Sequence, residues 1–341
     1  MKILHISESF EGGVASAVAN YVDLTSEHEH FLLCNKRSGR LSGGILHKFS
    51  TVYDLTRSHF SALKTVHAVV DKVKPDVIHC HSSYGGGYAR LAYFFARCPA
   101  LMVYSPHCYA FERRDISWFG RKMFYIMEWV LARRTDVVVC CSLRERNLAR
   151  MLRKKTKSIY VPNMESVASD ASLPFRKRKN MVVMVGRLCP QKDPGWFAEV
   201  AREVEREVEF VWVGDGEKKY RKVLKDAGVR VTGWKSPKEV AKILGESKVY
   251  LQTALWEGFP IALLDGARCG VAVVAREAMY LEGVRNARAV GSSVEAAEEI
   301  DALLGEIKEW KLNRERWKKA LTNNNAVVAK KRLCTAYNSK T

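Results

Sequence analysis

The chain is 341 residues long and 47% apolar, the proportions of an ordinary globular protein with ample core for two domains. No run approaches the ~18 apolar residues of a membrane span, and the opening Met1–Ile6 is too short and lacks the cleavage pattern of a signal peptide. The formal net charge is +19, of which residues 1–180 hold +13 (28 Lys and Arg against 15 Asp and Glu) and residues 181–341 hold +6 (28 against 22); a field of that sign draws in nucleic acid, acidic lipid headgroups or phosphorylated substrates.

Residues 2–6 read as a buried strand, and Ser7 to Gly13 as a glycine-bearing loop. Val14 to Leu24 follows with helical periodicity. Gly12 and Gly13 in such a strand–loop–helix opening let backbone approach a phosphate or sugar closely, although the dinucleotide fingerprint GxGxxG is absent. Phe31–Cys34 is a second strand, Asn35 to Ser50 a polar loop expected to be mobile, and Thr51–Tyr53 a short strand. Ser58 to Lys74 reads as a helix stopped by Pro75. In the next strand, Asp76 to His81, His79 and His81 point to one face with no further ligand nearby, which disfavours zinc. Gly85-Gly86-Gly87 reads as a glycine-rich turn opening the following helix. His107 lies just past the strand Leu101–Tyr104 and beside Pro106, where open α/β sheets place ligands.

Trp118 to Arg134 is an amphipathic helix, rich in Trp, Phe and Met with Arg and Lys at its ends. After the strand Asp136–Cys141, a helix from Arg144 to Lys157 holds seven basic residues and one acid. Basic residues interleaved with aromatic and aliphatic ones suit an anionic membrane surface. Ser158–Val161 is another strand, and Glu165 to Asn180 reads as an interdomain linker ending in a basic run. Nine scattered cysteines (34, 80, 98, 108, 140, 141, 189, 269 and 334) form no CxxC pair, as expected of reduced thiols in the cytosol.

A second α/β unit begins with Met181–Val185, followed by Gly186-Arg187-Leu188-Cys189-Pro190-Gln191-Lys192-Asp193. Arg187 and Lys192, five apart on a loop past a strand, can neutralise a diphosphate. Phe210–Val213 leads into the turn Gly214-Asp215-Gly216, and Val229–Thr232 into Gly233-Trp234. The strand Lys248–Gln252 precedes Trp256-Glu257-Gly258-Phe259-Pro260-Ile261, with a helix starting near Pro260 and ending at Gly270, and a strand from Val271 to Ala275. Glu257 on the loop and Asp265 in the helix flank the free amides of the helix start near Pro260 and Ile261. That arrangement suits the hydroxyls and diphosphate of a sugar nucleotide. Residues 276–290 carry no recognisable pattern, and the last helix is expected around Glu315 to Lys331.

The Glu257–x7–Asp265 spacing with Phe259, the Gly-Arg-Leu of residues 186–188 and the Gly-x-Gly of 214–216 resemble retaining glycosyltransferases of the GT-B type, family 4, of the kind that build polysaccharide and lipopolysaccharide. Asp265 stands where the family usually has Glu, Met164 replaces the glycine of a Pro-Asn-Gly, and Asp193-Pro194 precede the glycine that follows the family's lysine. The resemblance implies an α/β chain of two Rossmann-like domains facing across a cleft. These would be residues 1–165, a linker at 166–180 and residues 181–314, with a C-terminal helix of about 315–341 crossing back to the first domain. It further implies transfer from a nucleoside-diphosphate sugar, most simply UDP-linked, by front-face attack without a protein nucleophile and without a required metal or other cofactor.

By the same resemblance, Arg187, Lys192 and the amides near Pro260 and Ile261 would stabilise the leaving diphosphate. Gly186, Gly214, Gly216 and Trp234 would line the nucleotide, Asp265 would hold the ribose, and Glu257 with Phe259 would meet the sugar. Gly12, Gly13 and His107 would act from the first domain. The acceptor would be a glycan or lipid-linked glycan, and the protein cytoplasmic and peripheral on the inner membrane. The alternatives are a sugar-nucleotide epimerase of the same fold and a basic nucleic-acid- or membrane-binding protein without catalysis. RNP-like, helix-turn-helix and zinc-finger patterns are missing, so nucleic acid is not an expected partner.

Overall fold

The computed structural model describes residues 1–35, 43–56, 58–167 and 173–339. The chain divides into two units, Met1–Met164 with Asn324–Thr341, and Glu165–Asn323.

The first unit runs β1 (Lys2–Ser9), α1 (Gly12–Leu24), β2 (Glu29–Asn35), α2 (Gly43–Leu46), β3 (Thr51–Asp54), α3 (His59–Val73), β4 (Val77–His81), α4 (Ser82–Ala92), β5 (Leu101–Ser105), α5 (Trp118–Leu131), β6 (Val137–Cys140), α6 (Leu143–Leu152) and β7 (Lys157–Tyr160). Its strands form a parallel sheet in the order β3-β2-β1-β4-β5-β6-β7, so the direction of winding reverses between β1 and β4. Side chains alternate across these strands. Leu4, Ile6, Ile78, Cys80, Met102 and Tyr104 pack on one face with Val66, Val70 and Leu148 of α3 and α6. Ile3, Val77, Val103, Val137 and Val139 pack on the other, under Tyr21 of α1 and under Leu333 and Tyr337 near the C-terminus.

The second unit runs β8 (Lys179–Val185), α7 (Pro194–Glu203), β9 (Glu209–Val213), α8 (Lys218–Asp226), β10 (Arg230–Val231), α9 (Pro237–Glu246), β11 (Ser247–Gln252), α10 (Ile261–Arg268), β12 (Ala272–Arg276), β13 (Ala289–Val290), α11 (Ser293–Gly305) and α12 (Ile307–Ala320). Its parallel sheet has the order β10-β9-β8-β11-β12-β13, which reverses between β8 and β11. Both units are therefore Rossmann-like, and ligands of such sheets bind beyond the strand ends at the reversal. The last helix, α13 (Ala326–Tyr337), belongs to the first unit.

Several expectations change. Gly85, Gly86 and Gly87 are not a turn but lie inside α4. A methyl on Gly85 would come within 2.8 Å of Ile6 O, and one on Gly86 would strike the Tyr104 ring, so these glycines let the helix lie directly on β1 and β5. The basic helix stops at Leu152 rather than Lys157, where the run Arg153-Lys154-Lys155 begins and Arg153 turns extended. Glu315 to Lys331 is not one helix. α12 ends at Ala320, and α13 restarts after the Asn323-Asn324-Asn325 run, where Asn325 accepts from the Val328 amide at 3.0 Å. Residues 315–323 thus stay with the second unit.

Of the expected linker, residues 168–172 lie outside the described residues, but its end is core. The Arg178 guanidinium donates to Leu173 O, Ser247 O and Cys269 O at 2.7–2.9 Å, and Lys179 and Asn180 begin β8. Residues 36–42 of the expected polar loop also lie outside the described residues. The stretch 276–290 holds a 3₁₀ turn at Met279–Leu281 that buries Tyr280, whose hydroxyl donates to Ala254 O at 3.0 Å. All nine cysteines are free thiols, and among the described residues no helix is long and apolar enough to cross a membrane.

Candidate active site

In the second unit, the loops leaving β8 and β11 straddle the strand-order reversal and are tied together. Leu255 N–H donates to Gln191 O at 2.9 Å, Gln191 Nε2 donates to Trp256 O at 2.9 Å, and the Thr253 hydroxyl donates to Lys192 O. These ties bring two expected site residues into contact: Lys192 Nζ forms an ion pair with Glu257 Oε1, both side chains partly buried. The Lys192 chain lies over Gly186, where an added methyl would come within 3.1 Å of its Cε. Arg187, from the same loop, is exposed and has no hydrogen-bond or ionic partner among the described residues. Asp193, the residue displaced from the family pattern, adopts φ 47°, caps α7 through the Trp196 amide at 3.2 Å and pairs with Arg276 at 2.6 Å.

Gly214 and Gly216 serve backbone proximity. Gly186 N–H donates to Val213 O, Leu188 N–H to Asp215 O and Glu217 N–H to Leu188 O, each at 2.9–3.0 Å. These bonds zip the loop after β8 to the loop after β9. A methyl on Gly214 would overlap Gly186 O, one on Gly216 would overlap Leu188 O, and Gly214 sits at φ 143°. The Trp212 indole donates to Gly186 O at 2.8 Å, closing the same junction. Gly214 also bridges Gly233, which sets the half-exposed Trp234 beside this loop.

Asp265, expected to hold a ribose, already has partners within its own unit. Its carboxylate is buried, Oδ1 accepts from the Ser166 and Val167 amides at 2.6 and 3.2 Å, and Oδ2 accepts from the Ser166 hydroxyl at 2.8 Å. A carboxylate offers about four lone-pair sites, so one remains for a further donor. Burial pushes its pKa up to about 6, against the lowering effect of those three bonds. Phe259, Pro260 and Ile261 are buried. Pro260 brings no N–H, so the unpaired first-turn amides are those from Ile261 onward.

In the first unit, Gly12, at φ 52°, and Gly13 open α1 with open space over both α-carbons. His107 follows β5, a partly exposed ring on a left-handed backbone at φ 51°, with Cys108 at φ 87°. Such geometry costs about 1–3 kcal/mol per residue and persists only where the surroundings enforce it. Here a residue the sequence reading passed over enforces it: buried Glu145 of α6 accepts from the Cys108 amide at 2.5 Å and from the Cys141 amide at 2.8 Å. Burial lifts the Glu145 carboxyl to about 6. The Ser142-x-x-Glu145 spacing was the available signal, since it marks a helix start whose acid turns back to backbone amides.

The expectation that His79 and His81 have no neighbours of their kind is corrected. His5 of β1, His30 of β2, His79 and His81 of β4 and His107 share one side of the sheet, brought together by the cross-strand register. The ring nitrogens of His5, His79 and His81 all lie within 4.8 Å of one another. Each already has a partner: His5 bonds His81 and His30 at 3.0 and 3.1 Å, His81 bonds His107 at 3.1 Å, and His79 bonds the Tyr337 and Ser105 hydroxyls at 2.8 Å. A metal here would have to displace that network. Burial, with repulsion from neighbouring rings, drives His5, His79 and His81 well below the usual histidine range, and burial alone brings His107 down to about 4.

Comparison with known proteins gives this arrangement a family. Residues 12–164 match the family model described as Glycosyltransferase Family 4, and residues 179–308 match that of Glycosyl transferases group 1. An uncharacterized 41.2 kDa protein of the cps region of Klebsiella pneumoniae is 25% identical over 83% of both chains. The UDP-Gal:alpha-D-GlcNAc-diphosphoundecaprenol alpha-1,3-galactosyltransferase of Escherichia coli is 28% identical over 62% of this chain and 60% of its own. In fold, the chain resembles Anabaena HepE, solved in complex with UDP-glucose, at a TM-score of 0.80, 17% identity and 98% coverage of both chains. The chain belongs to the group 1, family 4 glycosyltransferases and is a glycosyltransferase of GT-B type built from two Rossmann-like units.

Proposed function

We propose that this enzyme moves a hexose from a UDP-linked donor to a hydroxyl of a lipid-linked or other glycan acceptor, with retention at the anomeric carbon, in bacterial surface-polysaccharide synthesis. The observation that carries this reading is the Lys192–Glu257 pair at the strand-order reversal, with Arg187 unpartnered on the same loop. In this reading the ammonium and guanidinium take the charge of the departing diphosphate, together with the first-turn amides of α10. The ion pair with Lys192 orients Glu257 to accept from sugar hydroxyls. Asp265 uses its remaining lone pair for a ribose hydroxyl, and His107 accepts a substrate hydroxyl. The relatives support the acceptor class, since the E. coli protein is named for a diphosphoundecaprenol-linked sugar and the Klebsiella protein for its cps region.

A membrane-surface location is part of the proposal. α5 buries only Glu128 and Leu131, and it exposes Trp118 (70%), Phe119 (67%), Met123 (54%) and Trp129 (45%). Lys122 and Arg133 lie over the Trp118 and Trp129 rings at 5.0 and 4.1 Å. Aromatic bulk flanked by cations fits an anionic bilayer interface.

The test is incubation of the purified protein with UDP-glucose, UDP-galactose and UDP-N-acetylglucosamine, with and without a polyprenyl-diphosphate-linked N-acetylglucosamine. Acceptor-dependent UDP release with an α-linked product is expected. Binding of none of these donors would overturn the reading, and a donor isomer formed without acceptor would favour the epimerase.

A further inference from the structure

The histidine network has a direction, and its geometry determines which way it runs. His30 Nε2 lies 2.9 Å from Thr25 O, a carbonyl that can only accept, so that nitrogen carries a proton. The Thr25 hydroxyl, 3.4 Å from the same nitrogen, offers no alternative, because it already donates to Tyr21 O at 2.7 Å. A neutral His30 then presents a bare Nδ1, which accepts from His5 Nε2 at 3.1 Å. His5 in turn presents a bare Nδ1 to His81 Nε2 at 3.0 Å, and His81 presents a bare Nδ1 to His107 Nε2 at 3.1 Å. Desolvation lowers the pKa of all four rings and so favours their neutral forms, His30 included. Each step therefore has one donor and one acceptor, and the reverse polarity would set two lone pairs against each other at Thr25 O. The chain ends at His107 Nδ1, which has no partner among the described residues. Tyr21 stacks on the His81 and His107 rings with its own hydroxyl kept protonated by burial, and the Glu145–Cys108 bond fixes the loop.

We propose that His30, His5 and His81 are positioning residues that lock His107 in the Nε2–H form, so that its Nδ1 is an obligate acceptor for a substrate hydroxyl. The hydroxyl rests on the reading of His107 given above, whereas the lock does not. His30 touches no substrate in this scheme, yet it sets the hydrogen-bonding character of a ring three members away. A hydroxyl can donate to the bare nitrogen, but a substrate group with only acceptor atoms meets a lone pair and is rejected.

The lock is tested with the full-length protein carrying ¹⁵N-labelled histidine, by long-range ¹H–¹⁵N correlation at pH 7 without ligands. In the wild type, His107 is expected to show a protonated Nε2 and an unprotonated Nδ1. In His30→Phe, which removes the anchor, an Nδ1–H population should appear at His107. In His79→Phe, which alters a buried histidine outside the chain, the His107 tautomer should stay as in wild type. A wild-type His107 protonated on Nδ1 would overturn the lock, and that measurement stands even if the variants fold poorly. An unchanged His107 tautomer in folded His30→Phe would overturn it as well. The kinetic counterpart is a fall in kcat of about tenfold in His30→Phe with the donor KM unchanged. Full activity in His107→Ala would instead remove His107 from the proposed transfer and leave the tautomer result intact.

Discussion

Lys192 and Glu257 pair across the line where the second sheet reverses its winding, each carried by the loop that leaves a neighbouring parallel strand. Because neighbouring backbone bonds hold both loops, removing the cation changes charge without releasing the scaffold. Lys192→Ala is expected to lower kcat/KM by on the order of 10²–10³, the loss of about 2–4 kcal/mol of stabilisation at the leaving group. Steady-state kinetics with the UDP donor checks this, and activity within a few-fold of wild type would remove Lys192 from the mechanism.

Arg187 should behave differently, since it is exposed and has no hydrogen-bond or ionic partner among the described residues. Arg187→Ala is expected to leave thermal stability within about 0.5 kcal/mol of wild type, as for an exposed side chain. UDP affinity should fall by on the order of tenfold or more, the worth of one charge-assisted hydrogen bond. Calorimetric titration with UDP separates the two effects.

The Gly186–Gly214 junction makes a stability prediction. At φ 143° with Gly186 O against its α-carbon, Gly214→Ala must move one loop away from the other. A cost of about 2 kcal/mol or more in unfolding free energy is expected, from strain and the broken loop zipper. Gly13→Ala, with open space over its α-carbon, should cost well under that. Equal denaturant midpoints for the two variants would contradict the assignment.

Asp265 gives a pH dependence with a definite sign. Its folded pKa is raised to about 6 from the ordinary 3.8, so between these values the folded state binds more protons than the unfolded state. Its contribution to stability is therefore full below about pH 4 and falls as the pH rises to about 6. Asp265→Asn has no such titration. The unfolding free energy of wild type relative to Asp265→Asn should thus decline by on the order of 2–3 kcal/mol between pH 4 and pH 7. Denaturant titrations at both pH values measure it, and a difference that grows with pH would refute the raised pKa.

The exposed face of α5 predicts lipid binding. Replacing both Trp118 and Phe119 with Ala should weaken sedimentation with anionic vesicles at least tenfold, given ~1.5–3 kcal/mol for each large apolar side chain buried. Thermal stability should stay unchanged, because neither residue is part of the core. Undiminished vesicle binding would remove α5 from the interface.

The repeating strand–helix order and the site loops of the second unit were legible because their information is local: an apolar run, a glycine, then a charged loop. The 186–193 and 257–265 segments carry their chemistry in short spacings, and the sheet order brings them together. The histidine chain was not legible in the same way. Its members sit on β1, β2, β4 and the loop after β5, and only cross-strand register makes neighbours of residues 5, 30, 81 and 107. Gly85 and Gly86 misled for a related reason, since their small size answers to Ile6 and Tyr104, far away in sequence. The basic stretch at 176–179 read as part of a linker, yet two of Arg178's carbonyl partners, Ser247 O and Cys269 O, lie 69 and 91 residues further along.

Helix α13 closes a sheet face laid down about two hundred or more residues earlier, with Leu333 and Ala336 on Val137 and Val139 and with the Tyr337 hydroxyl on His79. During synthesis, then, the first unit waits. Its first 164 residues leave the ribosome with an uncovered apolar strip, and the second unit has everything it needs before residue 337 is made. Premature termination anywhere in the twelve codons of that helix would yield a chain whose second unit is intact and whose first unit is left unsealed, a natural substrate for quality-control proteolysis.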